Sequence, residues 1–235
     1  MLVIVGQTNC YGLQETKLVR ALNHAVNQAA DSLSARSRRH HSDSTNMADD
    51  IFYLQFKDSR EAIEFDLTNG YVKGFDSIQG ANGNRLYVGD NGDIYMTVNL
   101  KFNKLLLGYD YNTPINTNFN PRFGYVKVLA FNTKISVAVR LGIDVDGRNT
   151  EVSVNGMSIK GSIPGKSELH FNGRNFHDNQ FAYKNVLINF GQYAGVLGQQ
   201  FVLQNKNYLS QKLEQNLRNE KVVVQALKEY YQYHE

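Results

Sequence analysis

The stretch IYMTVNLKF, residues 94–102, places an apolar side chain at every second position. A second stretch, ISVAVRLGIDV at residues 135–145, continues the same alternation over a longer run. Because successive side chains of a β-strand point to opposite faces, this pattern predicts strands with one buried face and one face in water. Both strands are predicted to be long, and long strands twist, so their sheet must curl around whatever it covers.

Turn signals separate these runs from their neighbours. Asn-Gly and Asp-Gly dipeptides favour two-residue hairpin turns, because Asn, Asp and Gly tolerate the positive φ angles that such turns need. We therefore predict an antiparallel sheet built from consecutive hairpins, with shorter strands at 152–154, 157–163 and 169–171. The six dipeptides lie at residues 69–70, 82–83, 91–92, 146–147, 155–156 and 172–173.

Helical patterns bracket the sheet at both ends of the chain. Residues 13–33 carry a broad apolar face at helical spacing, and polar residues occupy the other sides. A second apolar stripe begins after Asp178, a plausible N-cap, and continues to the C-terminus with a break or bend at 205–207. Residues 34–50 are polar and without periodicity, which predicts a flexible linker. The fold class is therefore α+β, with an N-terminal amphipathic helix, an antiparallel sheet and a long C-terminal helix.

Composition excludes several classes of function. The 25 Lys and Arg residues nearly balance 22 Asp and Glu residues, so nucleic acid is not expected as a partner. Cys10 is the single cysteine, which excludes an intrachain disulfide and a paired-cysteine zinc site. No stretch approaches the roughly 20 apolar residues of a membrane-spanning helix. The 235 residues suit one domain, which we place at 13–235.

Residues 1–12 and the basic run at 36–39 raise questions of processing. The apolar run from Leu2 to Val5 is shorter than the roughly 7 to 15 residues of a signal-peptide core. We expect residues 1–12 to be either the end of an incomplete signal peptide or an ordinary N-terminal extension. The sequence RSRR at 36–39 fits the basic cleavage pattern of secretory convertases and also fits a solvated charge run, so both readings stay open.

Short motifs that resemble catalytic or metal sites fail on spacing or context. The sequence GSIPGKS at 161–167 has three residues between its glycines, where a phosphate-binding loop needs four, and a strand pattern follows it. Asp144, Asp146 and Gly147 lack the positions of a calcium loop, and the six histidines show no metal-ligand spacing. We therefore predict no catalytic residues, no metal and no cofactor.

The apolar strand faces and helical stripes form either a packed core or the lining of a ligand cavity. Long strands, and the way Gly191, Gly195 and Gly198 thin the second helix, favour the cavity. The residues predicted to line it are Leu22, Val26, Ile94, Met96, Val98, Leu100, Phe102, Ile135, Val137, Val139, Leu141, Leu187, Phe190 and Leu197.

A polar loop between Gly108 and Gly124 mixes aromatic residues with Asn and Pro, which suits an interface with a membrane surface. Aromatics folded inward are the alternative. The candidate surface residues are Tyr109, Tyr111, Phe119, Arg122 and Phe123.

Residues 63–78, with Phe65, Leu67, Val72, Gly74, Phe75 and Ile78, resemble the opening strand pair of the group 7 mite allergens. These belong to the tubular lipid-binding proteins related to the bactericidal/permeability-increasing family. The resemblance extends to LNHAVNQAA at 22–30, to the strands at 94–109 and to the C-terminal helix. Related juvenile-hormone-binding and takeout-like proteins have an N-terminal cysteine pair that this chain lacks, so that branch matches less well.

The resemblance implies a strongly curved sheet wrapped around a long helix, secretion, and non-enzymatic binding of lipids or other apolar ligands between helix and sheet. The alternative function is recognition of a membrane surface or a microbial amphiphile without an enclosed ligand. Ligand identity and oligomeric state stay open.

Overall fold

The two alternating stretches lie in the two longest strands of the sheet. The computed structural model describes residues 11–55, 62–113, 122–146, 149–171 and 180–232. The strands are β1 (Ser44–Asn46), β2 (Asp50–Gln55), β3 (Ala62–Lys73), β4 (Ile78–Gly80), β5 (Arg85–Val88), β6 (Ile94–Asn112), β7 (Phe123–Asp146), β8 (Asn149–Ile163) and β9 (Lys166–Phe171). The helices are α1 (Tyr11–Arg39), α2 (Gln180–Gln204), α3 (Lys206–Asn219) and α4 (Lys221–Gln232), with a short 3₁₀ turn at Phe75–Ser77.

Strands β6 and β7 form the spine of the sheet. They pair antiparallel from one end of β6 to the other, from Ile94 opposite Leu141 to Asn112 opposite Phe123, and β7 continues beyond this to Asp146. The strands β3, β4 and β5 pair with successive parts of β6, while β8 and β9 pair with successive parts of β7. Strands β1 and β2 extend the sheet beyond β3. The predicted α+β class with a large, curved antiparallel sheet is confirmed.

At one level of the β6–β7 pair, the inward-facing apolar positions change between even and odd residue numbers. In β6 the buried apolar side chains are at even positions up to Phe102 and at odd positions from Leu105 onward. Strand β7 makes the same change between Ala130 and Thr133. Asn132 lies at this level with φ of 53°, a left-handed conformation that Asn tolerates better than most residues. One additional residue in each strand therefore keeps the apolar side chains on the same face.

Two of the predicted turns are real hairpins. Gly92, with φ of 79°, lies in the turn between β5 and β6. Asp146 pairs with Asn149 across the β7–β8 hairpin, whose connecting residues 147–148 lie outside the described part of the chain. The dipeptide at 172–173 also lies outside it.

Three of the predicted hairpin turns are wrong. The dipeptides at 69–70 and 155–156 lie inside β3 and β8, at shifts in the pairing register. A bulge accommodates an additional residue in an unusual backbone conformation, and Asn69 has φ of 53°. The predicted separate strands at 152–154 and 157–163 are accordingly one strand, β8. The dipeptide at 82–83 connects β4 to β5, which both pair with β6 and not with each other.

Helix α1 is longer than predicted and takes up part of the expected linker. It continues past Leu33 to Arg39, and β1 follows at Ser44. Contacts distant in sequence explain the extension, because Ser34 Oγ donates to the backbone carbonyl of Asp76 and the Arg36 guanidinium lies 4.5 Å from the Tyr208 ring centroid. The basic run at 36–39 therefore forms the last turn of a helix. Proteolytic cleavage at this run stays one of the two alternatives that the sequence offers.

The C-terminal helical run is divided into α2, α3 and α4, with the first division at Asn205 as the sequence predicts. Asn205 Nδ2 donates to the carbonyl of Phe201 at 2.9 Å, which caps the end of α2. Helix α3 then packs against α1. Asn216 Nδ2 donates to the carbonyl of Ala25 at 3.2 Å, joining opposite ends of the chain.

The glycines of α2 allow the helix to approach the sheet closely. A Cβ atom built on Gly198 would lie 2.9 Å from Phe102 Cε2 and 3.3 Å from Ile135 Cδ1. The rings of Phe75 and Phe201 stack beside Phe102, with their centroids 4.6 Å apart. At this level protein side chains fill the interval between α2 and the sheet, so Gly198 serves close packing there.

We predict that Gly198→Ala destabilises the protein relative to Gly191→Ala. Both changes gain about 1 kcal/mol of helix propensity. At Gly198 the new methyl group meets a buried ring, and overpacking costs roughly 1 to 3 kcal/mol. At Gly191 the nearest atom is Ser167 Oγ at 3.0 Å, a hydroxyl that can rotate away. Urea unfolding followed by circular dichroism measures both variants, and equal stabilisation by the two would contradict close packing at Gly198.

Candidate functional site

The structure brings the predicted cavity-lining residues together in one buried cluster. All of them are buried except Leu187, which is half-buried and packs against the same cluster. They come from α1, β6, β7 and α2, as the periodicity predicts. A shared apolar cluster is common to a packed core and to a closed ligand site, so their role in ligand binding stays a prediction.

One small opening in this cluster is lined only by apolar and aromatic side chains. This aromatic pocket lies between the first half of α2 and the end of the sheet, and its volume is about 10 Å³, close to the space that one water molecule needs. Of the predicted cavity lining, only Phe190 belongs to it. Its lining residues are Phe52, Phe65, Leu67, Tyr111, Val126, Phe171, Val186 and Phe190.

The rings of the aromatic pocket are in direct contact. Tyr111 and Phe171 stack with their centroids 4.8 Å apart, and Phe65 meets the Tyr111 ring edge-on at 5.6 Å. Phe190 of α2 contacts Phe52 of β2 edge-on at 6.1 Å. The first two contacts join strands of the sheet and the third holds α2 against it, and each such pair contributes about 0.5 to 1.5 kcal/mol beyond the burial of its area.

Sequence reasoning missed most of this pocket. Phe52 lies directly after the interval predicted to be a flexible linker, so its strand was not expected. Phe65 and Phe171 were placed in strands, but nothing local indicated that β3 and β9 reach the same end of the sheet. Both strands approach the pocket because each pairs with one side of the β6–β7 spine.

Two of the predicted surface residues belong to the interior, which corrects the membrane-interface prediction. Tyr109 and Tyr111 are buried in β6, and the Tyr109 hydroxyl donates to the carbonyl of Ala48 at 3.2 Å. Their odd positions become inward positions because of the change at Phe102–Leu105. Arg122 and Phe123 are exposed, and Phe123 retains 74% of its accessible area. Phe119 lies outside the described residues.

A larger concavity of about 740 Å³ lies mainly along outward positions of the sheet and extends to Asn27 of α1. Its lining is mainly polar and includes Lys101, Lys134 and Lys160. Ile135 is the one predicted cavity residue along it. This groove is therefore distinct from the predicted site between helix and sheet.

Within the described residues, no three His, Cys, Asp or Glu side chains cluster as metal ligands would. In the same part of the chain, no helix combines the length and the apolar character that crossing a bilayer requires. The expectation of an incomplete signal peptide concerns residues 1–12, of which 1–10 lie outside the described range. Secretion, the division into domains and the absence of catalysis stay predictions.

Burial raises the pKa of Tyr111 to about 12 and raises the pKa of Tyr109 further. The cause is desolvation, because a buried phenolate loses its hydration. Both phenols are therefore neutral in the folded protein at physiological pH. Since the folded pKa lies above the unfolded value of about 10, the stabilisation is complete below pH 10 and is lost as pH rises toward 12.

We predict that Tyr111→Phe reduces the alkaline sensitivity of the fold. In the wild type, ionisation of the unfolded chain should lower the free energy of unfolding by roughly 1 to 3 kcal/mol between pH 10 and 12 because of this residue. The variant lacks that contribution, so its free energy of unfolding relative to the wild type should rise between pH 10 and 12. Urea midpoints measured at neutral pH and at pH 10 to 12 test this, and parallel curves would contradict the assigned burial effect.

No protein-family model matches the chain, and no curated protein sequence matches it. Among solved structures, Takeout 1 of Epiphyas postvittana matches with 17% identity and a TM-score of 0.33, covering 83% of this chain and 88% of its own. A lipopolysaccharide binding protein matches with 13% identity and a TM-score of 0.35 over 88% of this chain, which spans only 38% of that protein's length. Takeout-like proteins are the branch that the sequence resemblance matches less well, and nothing among these matches singles out the group 7 allergens. At these TM-scores the likeness carries no argument about ligand or function, which rest on this chain's own residues.

Proposed function

We propose that the protein binds the hydrocarbon chain of a lipid or a similar apolar molecule at the aromatic pocket, without catalysing a reaction on it. The observation that carries the proposal is the lining of this pocket, whose eight residues are all apolar or aromatic. The pocket also lies where a helix meets the end of a sheet, so its two walls belong to different elements. Separation of those walls creates a site without unfolding either element.

Binding requires α2 to move, because the pocket as it stands holds no more than about one water molecule. The contact between α2 and β2 at Phe190 and Phe52 is a ring-edge contact, and among the described strands β2 pairs only with β3. At Phe52 the first half of α2 therefore contacts an edge strand, while the Phe190 ring also meets the Tyr109 ring of β6 edge-on at 6.4 Å. Further along, Gly198 holds α2 close to Phe102, which confines the movement to the first half of the helix.

Burial of a hydrocarbon chain provides enough free energy for measurable binding after the costs of association are subtracted. Burial of a sixteen-carbon chain contributes about 12 kcal/mol at about 0.8 kcal/mol per methylene group. Association costs at the lower end of roughly 4 to 15 kcal/mol leave about 8 kcal/mol, which corresponds to micromolar dissociation constants. Displacement of the aromatic contacts reduces this net binding free energy. We therefore expect micromolar or weaker binding and a preference for long chains.

We predict that Val186→Phe weakens binding of a dansylated long-chain fatty acid. Val186 lies on α2 at the wall of the aromatic pocket, so a phenyl ring there occupies the space into which a ligand must enter. We expect the fluorescence-detected affinity to fall roughly tenfold, the equivalent of about 1.4 kcal/mol. Val196→Phe is the matched control, because Val196 lies on the same helix with its side chain exposed.

Binding is expressed per folded molecule, which circular dichroism determines for each variant. A wild-type protein that leaves the probe's fluorescence unchanged would sink the proposal. So would an equal loss in Val186→Phe and Val196→Phe, because the probe would then sense a change unrelated to the pocket. Native mass spectrometry of protein from its source provides the second measurement, where co-purifying apolar mass is expected.

We also propose, as a second candidate, that Phe123 and Arg122 contact a lipid surface. Phe123 has 74% of its area in water and follows the exposed Arg122, and an aromatic ring beside a cation is a combination that suits a membrane interface. Phe123 pairs across the sheet with Asn112, which in turn pairs with Asp66 on β3. Because a carboxylate shares this face, a zwitterionic surface suits it better than an anionic one.

We predict that Phe123→Ser reduces flotation with phosphatidylcholine vesicles, because the ring no longer enters the interface. Val222→Ser, which removes an exposed apolar side chain from α4, is the control and should float like the wild type. If the wild type itself fails to float, or if the two variants behave alike, these residues do not form a lipid contact.

A further inference from the structure

The groove of about 740 Å³ runs along outward positions of the sheet, and it also reaches Asn27 of α1, Ile135 of the buried cluster and Ser162, whose Oγ accepts from Gln199 of α2. Asn99 and Lys101 alternate with the buried Val98, Leu100 and Phe102, so their side chains project outward. The groove begins at the connection between β4 and β5 and crosses β6 and β7 to the end of β8. Its volume is in the range of small-molecule sites, about 300 to 1,000 Å³.

The positive charge of the groove is not neutralised by the described part of the protein. Lys101 and Lys134 are directly opposite each other on β6 and β7, where like charges destabilise a sheet. The ion pairs within the described ranges involve other cations, so neither lysine has a carboxylate partner there. Among the same residues, no acidic side chain lines the groove. The sheet therefore bears a local electrostatic cost that an anionic ligand would remove.

A bulge places a third lysine, Lys160, in the lining of the groove, with its ammonium group toward Tyr87 and Thr97. Ser136 pairs with Gly161 and Val137 pairs with Ile159, so Lys160 is the additional residue between them. Its ammonium group lies 4.3 Å from the Tyr87 ring centroid and 3.5 Å from Thr97 Oγ1. Bulges often re-aim a side chain beside a functional site. A Cβ atom built on Gly161 would have no atom within 4 Å, so the space beside Lys160 is open.

The polar wall of the groove is held in place by buried hydrogen bonds. Asn84 is almost fully buried, accepts from the backbone N–H of Asn99 at 2.7 Å and donates to the carbonyl of Ala81 at 2.8 Å. On the other side, Ser136 Oγ donates to Asn99 Oδ1 at 3.0 Å. These bonds fix the β4–β5 connection relative to the spine. The groove is consequently formed before any ligand arrives.

We propose that this groove binds a phosphorylated polyol. A phosphate monoester carries a charge of about −1.5 to −2 at neutral pH, which suits two or three ammonium groups better than a single carboxylate does. The amides and hydroxyls along the wall suit the hydroxyl groups of a polyol ring. The same chemistry occurs in a free sugar or inositol phosphate and in a phosphoinositide head group.

This site is independent of the aromatic pocket and of the function proposed there. Ten residues of β6 separate Lys101 from Tyr111, which corresponds to about 33 Å along an extended strand. The two sites also lie on opposite faces of the sheet, because Lys101 points outward and Tyr111 inward. Failure of either proposal leaves the other unaffected.

The test is titration calorimetry of the full chain with myo-inositol trisphosphate at low salt. Lys134→Glu should weaken binding by roughly tenfold or more, because it removes one charge-assisted contact and adds repulsion. It should also raise Tm by about 2 to 4 °C in the absence of ligand, since the introduced carboxylate would face Lys101 as an opposite charge. Lys104→Glu is the matched control, because Lys104 is exposed on β6 and does not line the groove.

Flotation with vesicles identifies the source of the phosphate. Retention on phosphatidylcholine vesicles that contain phosphatidylinositol bisphosphate, reversed by the soluble trisphosphate, assigns the groove to a head group. Calorimetric binding without retention assigns it to a free ligand. No heat of binding to the wild type, or an equal loss in Lys104→Glu and Lys134→Glu, would overturn the proposal. Lys134→Gln, which removes charge without adding repulsion, confirms the effect if its affinity lies between those of the wild type and Lys134→Glu.

Discussion

The antiparallel ladder between β6 and β7 is the constraint on which the rest of the structure depends. It joins eighteen residue pairs, and the strands β3, β4, β5, β8 and β9 hydrogen-bond directly to one of its two strands. The ladder also separates the two candidate sites, because its inward side chains reach the aromatic pocket and its outward side chains form the groove. Each proposed function therefore depends on the same register.

The sequence was sufficient to predict which face of these two strands is buried, but not how far the strands run or where they turn. Alternation from Ile94 to Phe102 identifies the buried face correctly, because period-two patterning is a local property. The turn signals were ambiguous, since Asn-Gly supplies positive φ both to a hairpin and to a bulge. Whether Asn69-Gly70 reverses the chain depends on β6, about forty residues further along the chain. No local pattern carries that information.

Local sequence patterns were equally insufficient for predicting the aromatic pocket and the groove. The predicted lining residues were brought together, but packing density depends on how close α2 comes to Phe102, which only the assembled fold determines. Tyr109 and Tyr111 were assigned to the surface because they open a stretch that mixes aromatic and polar residues, whereas the additional residue at Asn103 turns them inward in β6. The groove did leave a partial signal, since Lys101 is at an outward position of the first alternating stretch and Lys134 directly precedes the second, but their pairing is known only from the structure.

The contacts between α1 and the C-terminal helices have a consequence for synthesis of the chain. His24 Nδ1 lies 2.6 Å from Glu220 Oε1, and the hydroxyl of Tyr208 donates to the carbonyl of Ser32 at 3.4 Å, across intervals of 196 and 176 residues. At roughly 5 to 20 residues per second, the ribosome needs about 10 to 40 s to make the segment that covers the apolar face of α1. During that time the part of the face that α3 and α4 cover is available to chaperones, and a chain that ends before these helices leaves that part uncovered.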